Sequence, residues 1–146
     1  MKHKILIVGD IRGNLQPLTD RVNKLNDSGK GPFTTVLCVG EFSNGMSVNT
    51  SNNSTKSATT TNKSHFHQVM DGEIVLPFSL HFILSGTPND AVFASYHNLT
   101  TNSKDLSSNV HFLGQAGVAK ISDLNVAYLS GYYDRSAYRM EDLVSI

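Results

Sequence analysis

The chain has no tryptophan, a single cysteine and no excess of either charge, and each shortage removes a class of protein. One cysteine, Cys38, excludes an internal disulfide; inside an apolar run it reads as a small buried hydrophobe before it reads as a nucleophile. Lys and Arg number 12, as do Asp and Glu, which leaves no electrostatic footprint for nucleic acid or an anionic membrane. No apolar run approaches the length that spans a bilayer, and Met1-Lys2-His3-Lys4 leads into too short an apolar stretch for a signal peptide. The Asn-x-Ser/Thr sequons, at Asn53 and Asn98 for example, are therefore read as composition, and a reducing intracellular setting without membrane contact is expected. What is present, 146 residues of which 39% are apolar, suffices for one domain with a real core.

Ile5-Leu6-Ile7-Val8 reads as a buried strand and runs into Gly9-Asp10-Ile11-Arg12-Gly13-Asn14. Leu15, Leu18, Val22 and Leu25 then recur at helical spacing, with Asn14 as N-cap, Pro17 in the tolerant first turn and Asp27-Ser28-Gly29 as the stop. Thr34 to Val39 reads as a second buried strand, so the opening is a βαβ unit with a parallel sheet. Its strands end in Gly9-Asp10 and Gly40-Glu41, at the sheet edge where open α/β folds build sites. Ser47 to Ser64 is almost entirely Ser, Thr and Asn and is expected to form a disordered insertion. That segment reads as a low-complexity expansion or as a phosphorylated regulatory loop. Phe78 to Leu84 alternates as a strand ending at Ser85-Gly86, and a short helix from Ala91 to Asn98, capped by Asn89, is expected next. The last third predicts three short strands, Val110 to Leu113, Val118 to Ile121 and Val126 to Leu129, as an antiparallel meander.

A strand ending in Gly9-Asp10-Ile11-Arg12-Gly13 resembles the Gly-Asp-x-His-Gly loop of calcineurin-like metallophosphoesterases. The later motifs sharpen the likeness: Leu37 to Phe42, Phe82 to Thr87, Asn109 to Val118, and Tyr128-Leu129-Ser130-Gly131-Tyr132-Tyr133. In this order they resemble the metallophosphoesterase-like domain of RNA lariat debranching enzymes, and most nearly their CwfJ-type, Cwf-nineteen-like relatives. The resemblance implies an α/β, partial calcineurin-like fold over residues 1–146, with a parallel start and an antiparallel end. Such proteins normally continue into further C-terminal domains, so the chain reads as a fragment or a shortened gene product.

The resemblance also implies a set of metal ligands, and that set is depleted. Arg12 stands for a His ligand, and a guanidinium has no lone pair to give a metal. Glu41 stands for the bridging Asp, one methylene longer. The Asn-His pair of the third motif falls on Thr87 and Pro88, beside Asn89, and the later His motifs have no counterpart. A two-metal centre holds its ions about 3.5–4 Å apart and activates water between them. Asp10 and Glu41 alone do not complete that coordination. They are vestigial ligands or ion-pair partners of Arg12; the second is favoured, because a buried carboxylate pair without a cation is costly. No metal and no cofactor are expected, and the domain reads as a pseudoenzyme.

Elsewhere, His65-x-His67 has the spacing of a strand-borne metal pair but reads as a solvated loop feature. His81 and His111 read as exposed-face residues. Tyr132, Tyr133, Arg135, Tyr138 and Arg139 form an aromatic and basic cluster that suits single-stranded RNA. Met140 and Leu143 nearby suit an amphipathic packing helix instead. The resemblance thus implies a nuclear, spliceosome-associated module that assists intron-lariat debranching, with protein partners in that machinery and weak RNA contact. The alternative is a divalent-metal phosphodiesterase or debranching enzyme with an atypical site at Asp10 and Glu41.

Overall fold

The computed structural model describes residues 2–45, 64–136 and 139. Their elements run β1 (Ile5–Val8), α1 (Leu15–Asp27), β2 (Thr35–Cys38), α2 (His65–Met70), β3 (Ser79–Phe82), α3 (Pro88–Tyr96), β4 (Lys104–Ser107), β5 (Val110–Phe112), β6 (Ala116–Ile121) and β7 (Leu124–Leu129). Five strands form one sheet in the order β1-β2-β3-β5-β4, and β6 and β7 form a separate two-stranded sheet.

Strands β1, β2, β3 and β5 are parallel neighbours laid down in one direction across the sheet. Crossovers of a single hand then place every intervening helix on the same face. The core bears this out. Leu6, Val8, Val36, Cys38, Leu80, Phe82, Val110 and Phe112, every second residue of their strands, join Leu15, Leu18 and Val22 of α1, Phe66 and Val69 of α2 and Phe93 of α3. Phe82 stacks on Phe42 at 3.8 Å between centroids, while Phe66 and Phe93 approach Phe42 at 5.7 and 5.4 Å. Phe42 follows Glu41, so the aromatic core fixes the loop that carries the candidate acid.

The opposite face receives the β6–β7 hairpin. Ser122 and Asp123 both adopt positive φ, 47° and 65°, the two-residue turn whose twist matches a hairpin. The turn is tied down by Thr35 Oγ1 to Ser122 Oγ at 2.7 Å and by His3 to Asp123 at 3.1 Å. At the hairpin's open end Gly131 N–H donates to the Leu84 carbonyl, and the Ser130 hydroxyl links Leu84 N–H to the Gly114 carbonyl.

The mixed α/β class, the parallel start and the antiparallel hairpin are as expected; several details are not. The three-strand meander is absent among the described residues: β5 joins the main sheet parallel to β3, and the unforeseen β4 pairs antiparallel with it. The strand Val-His-Phe has a side-chain period but no information about its neighbour. His65 and His67 lie on helix α2 rather than in a loop; the Ser64 hydroxyl accepts from His67 N–H and caps it. Helix α3 begins at Pro88, with Thr87 rather than Asn89 as its cap. Of the Ser47 to Ser64 segment, all but Ser64 lies outside the described residues, as does Tyr138.

Candidate functional site

The site is assembled at the carboxyl ends of β1, β2 and β3. Backbone bonds close the first two ends together: Ile11 N–H and Arg12 N–H both donate to the Glu41 carbonyl, at 2.9 and 3.0 Å, and Gly13 N–H donates to the Phe42 carbonyl. Asp10 spans the same gap, its Oδ1 accepting from Glu41 N–H at 2.7 Å. A Cβ on Gly40 would collide with the Asp10 carboxylate and backbone, so this approach requires glycine there. Arg12 turns the chain into α1 with φ at +50°, a left-handed conformation that costs a non-glycine residue about 1–2 kcal/mol.

That turn aims the guanidinium at both acids. Arg12 Nε donates to Glu41 Oε2 at 3.0 Å, and Nη2 lies 3.4 Å from Asp10 Oδ2. The other oxygen of Glu41 accepts from the Thr87 hydroxyl at 3.0 Å and from Asn89 Nδ2 at 3.1 Å. Glu41 is thereby the centre of the cluster, with its side chain 12% exposed against 61% for Arg12 and 51% for Asp10. Arg12, Asp10, Thr87 and Asn89 are brought together around one carboxylate. Pro88 contributes no polar atom; it occupies the first turn of α3, where its missing N–H is not needed.

Beneath the cluster lies a residue that the sequence reading missed. Asp90 is fully buried and accepts from Phe42 N–H, Ser43 N–H, Ser85 N–H and the Ser85 hydroxyl at 2.8–3.2 Å. It binds the β2 end, the β3 end and the start of α3 into one unit. Its local signal was Thr87-x-x-Asp90, which reads as an ordinary helix start; its reach to Phe42 and Ser43 is tertiary.

The aromatic segment borders this cluster. A Cβ on Gly86 would meet the Tyr132 ring at 3.0 Å, which puts that ring over the residue preceding Thr87. Tyr132, Tyr133, Arg135 and Arg139 are exposed. The remaining histidines are elsewhere. His81 and His111 are opposite each other on β3 and β5, half-buried rather than exposed, with rings stacked at 4.8 Å and His111 Nδ1 2.7 Å from Asp105. Burial, then the neighbouring His111, pushes the His81 pKa down to about 4. Burial raises the Cys38 thiol to about 11, so it is not a nucleophile at neutral pH.

The donor set does not fit a pair of divalent metals: a guanidinium occupies the space between the two acids, and Thr87 and Pro88 provide neither imidazole nor carboxylate. Among the described residues no group of three or more His, Cys, Asp or Glu is placed to hold a metal ion. None of the helices there is long and apolar enough to cross a membrane.

Fold and site define an α/β domain whose strand-end site is organised by an ion pair. In sequence the chain is similar to the CWF19-like protein 1 homolog of Drosophila melanogaster, 32% identical over 130 residues that make up 88% of this chain. This similarity supports the Cwf19-like part of the resemblance. The chain spans about a fifth of that relative's length (20%). No family model matches the chain.

Proposed function

We propose that the domain is a non-catalytic, metallophosphoesterase-like module of a nuclear, splicing-associated protein of the Cwf19-like type, and that it assists intron-lariat debranching by binding proteins. The similarity to a CWF19-like protein supports the splicing assignment. The observation that carries the non-catalytic reading is Arg12, which donates to Glu41 and approaches Asp10 where the resemblance calls for a metal ligand. A cation built into the chain neutralises the two acids without offering an open coordination position or activating water. The exposed Tyr132 ring beside Thr87, with Tyr133, Arg135 and Arg139, supplies the contact surface next to that cluster. The zero net charge weighs against strong independent RNA binding, which depends on many phosphate contacts from Lys and Arg.

Metal analysis of the purified chain and an assay of model phosphodiester cleavage test the reading. Neither stoichiometric manganese, iron or zinc nor metal-dependent cleavage is expected. Both together would establish the atypical phosphodiesterase instead. Recovery of lariat-processing proteins with the chain should fall when Tyr132, Arg135 and Arg139 are replaced together by Ala. Unchanged recovery rejects this surface, and tight, salt-resistant RNA binding by the wild type rejects the protein-binding preference.

A further inference from the structure

Of the asparagines in the chain, only Asn44 is followed by glycine. An asparagine side chain is lost when the amide nitrogen of the next residue attacks its Cγ, and a side chain on that next residue hinders the attack. Glycine removes the hindrance and lets the backbone turn into the reacting geometry. Asn44 is exposed, so water and solvent base reach it, while Gly45 is buried. A Cβ on Gly13 would stand 3.2 Å from Asn44 Cγ. Because Gly13 has none, the Asn44 side chain has room to turn against the Arg12-Gly13 loop. The attacking nitrogen is restrained by a bond of 3.2 Å from Gly45 N–H to the Ser43 hydroxyl, long for a hydrogen bond to oxygen.

We propose that Asn44 is a site of spontaneous deamidation in the folded domain, and that its isoaspartate product loosens the Glu41 cluster. The Gly45 nitrogen gives its proton to solvent base and bonds to Asn44 Cγ. The bond from Cγ to the side-chain nitrogen breaks, ammonia leaves, and a succinimide closes. Water then opens the ring: addition at Cγ gives aspartate, and addition at the Asn44 backbone carbonyl carbon gives isoaspartate. Water is the only co-reactant. Isoaspartate carries the main chain through Cβ and Cγ, which puts an extra methylene ahead of Gly45. The surroundings of Gly45 are too closely tied to absorb it. A Cβ on Gly45 would stand 3.0 Å from Asn89 Oδ1, and the Ser43 hydroxyl that accepts from Gly45 donates to the Asn89 carbonyl at 3.1 Å. Asn89 Nδ2 in turn donates to Glu41 Oε1 at 3.1 Å. Displacing Gly45 therefore pulls on Asn89 and weakens a donor to the carboxylate that pairs with Arg12. Aspartate leaves the main chain unchanged and these bonds in place.

Incubating the full chain in native, mildly alkaline buffer and mapping its peptides by mass spectrometry reads the site. The Asn44 peptide should gain the mass difference between an amide and an acid, ahead of the other asparagines of the described residues. Isoaspartyl methyltransferase should label it. Asn44→Gln, whose longer side chain would have to close a larger ring, should show neither change at this position. The isoaspartate form, separated by chromatography, should melt below the fresh protein, whereas Asn44→Asp should melt with it. An Asn44 that stays intact in the native chain overturns the proposal, because the Ser43 bond then holds the nucleophile. An isoaspartate form that melts with the fresh protein also overturns it, since the lengthened main chain then does not reach Glu41. So does an Asn44→Asp chain that melts as low as the isoaspartate form, which would make charge the cause.

Discussion

Replacing Arg12 in two ways separates what its side chain contributes from what its backbone costs. Both Arg12→Gly and Arg12→Ala remove the bond to Glu41 Oε2 and the approach to Asp10. The pair is exposed on the Arg12 side, and Glu41 keeps Thr87 and Asn89 as donors, so the loss is that of a surface ion pair, about 1 kcal/mol. The variants differ in one respect. Glycine accepts the left-handed φ of +50° freely, whereas alanine retains the cost of about 1–2 kcal/mol. Glycine in turn loosens the unfolded chain by about 0.4–1 kcal/mol. At mid-range the balance leaves Arg12→Gly more stable than Arg12→Ala by roughly 0.8 kcal/mol, or about 2–3 °C in melting midpoint for a domain of this size. Urea denaturation of both variants, with Glu41→Gln added to close a double-mutant cycle, measures the two quantities separately. If the alanine variant equals or exceeds the glycine variant, the loop does not hold Arg12 in the left-handed region. If the cycle gives no coupling between Arg12 and Glu41, the ion pair does not organise the site.

Other substitutions test the parts beneath and around the cluster. Asp90→Ala strands three backbone N–H groups and a hydroxyl, and should cost roughly 3–5 kcal/mol in urea denaturation; a loss below about 1 kcal/mol would mean that water replaces the carboxylate. His81 has a folded pKa near 4 against an ordinary 6.5, so the unfolded chain binds the extra proton first. Stability should therefore be full above pH 6.5 and fall by roughly 1–2 kcal/mol as pH drops toward 4, after allowance for partial solvent screening; His81→Gln should remove that part of the slope. Cys38 should react with a thiol reagent at neutral pH no faster than the domain unfolds, and rapid stoichiometric labelling of the native protein would contradict its burial.

Much of the parallel half was legible because its signals are local. Four-residue apolar runs, a helix with Leu15, Leu18 and Val22 on one side, and glycines at the strand ends announce β1, α1 and β2 without any tertiary information. The expectation that Arg12 pairs with Asp10 or Glu41 followed from strand adjacency, and the structure brings it against both. Signals failed where an element is short or polar. β4 is half charged, and α2 is six residues beside a Ser/Thr/Asn tract, so neither has enough period to stand out.

By itself the sequence determined which residues could be buried and which chemistry could stand at the strand ends, because apolar period and side-chain type are properties of the chain. Tertiary structure decided which strands became neighbours. β5 joined β3 rather than β6, and that choice stacked His111 on His81 and separated the hairpin from the main sheet. It also took Asp90 from a helix's first turn and buried it under the loops of two other strands. The physical reason is the same in each case. A three-residue strand or a lone carboxylate satisfies its hydrogen bonds equally well with many partners in isolation, and the partner is chosen by which packing closes the phenylalanine core and leaves the fewest buried polar groups without a bond.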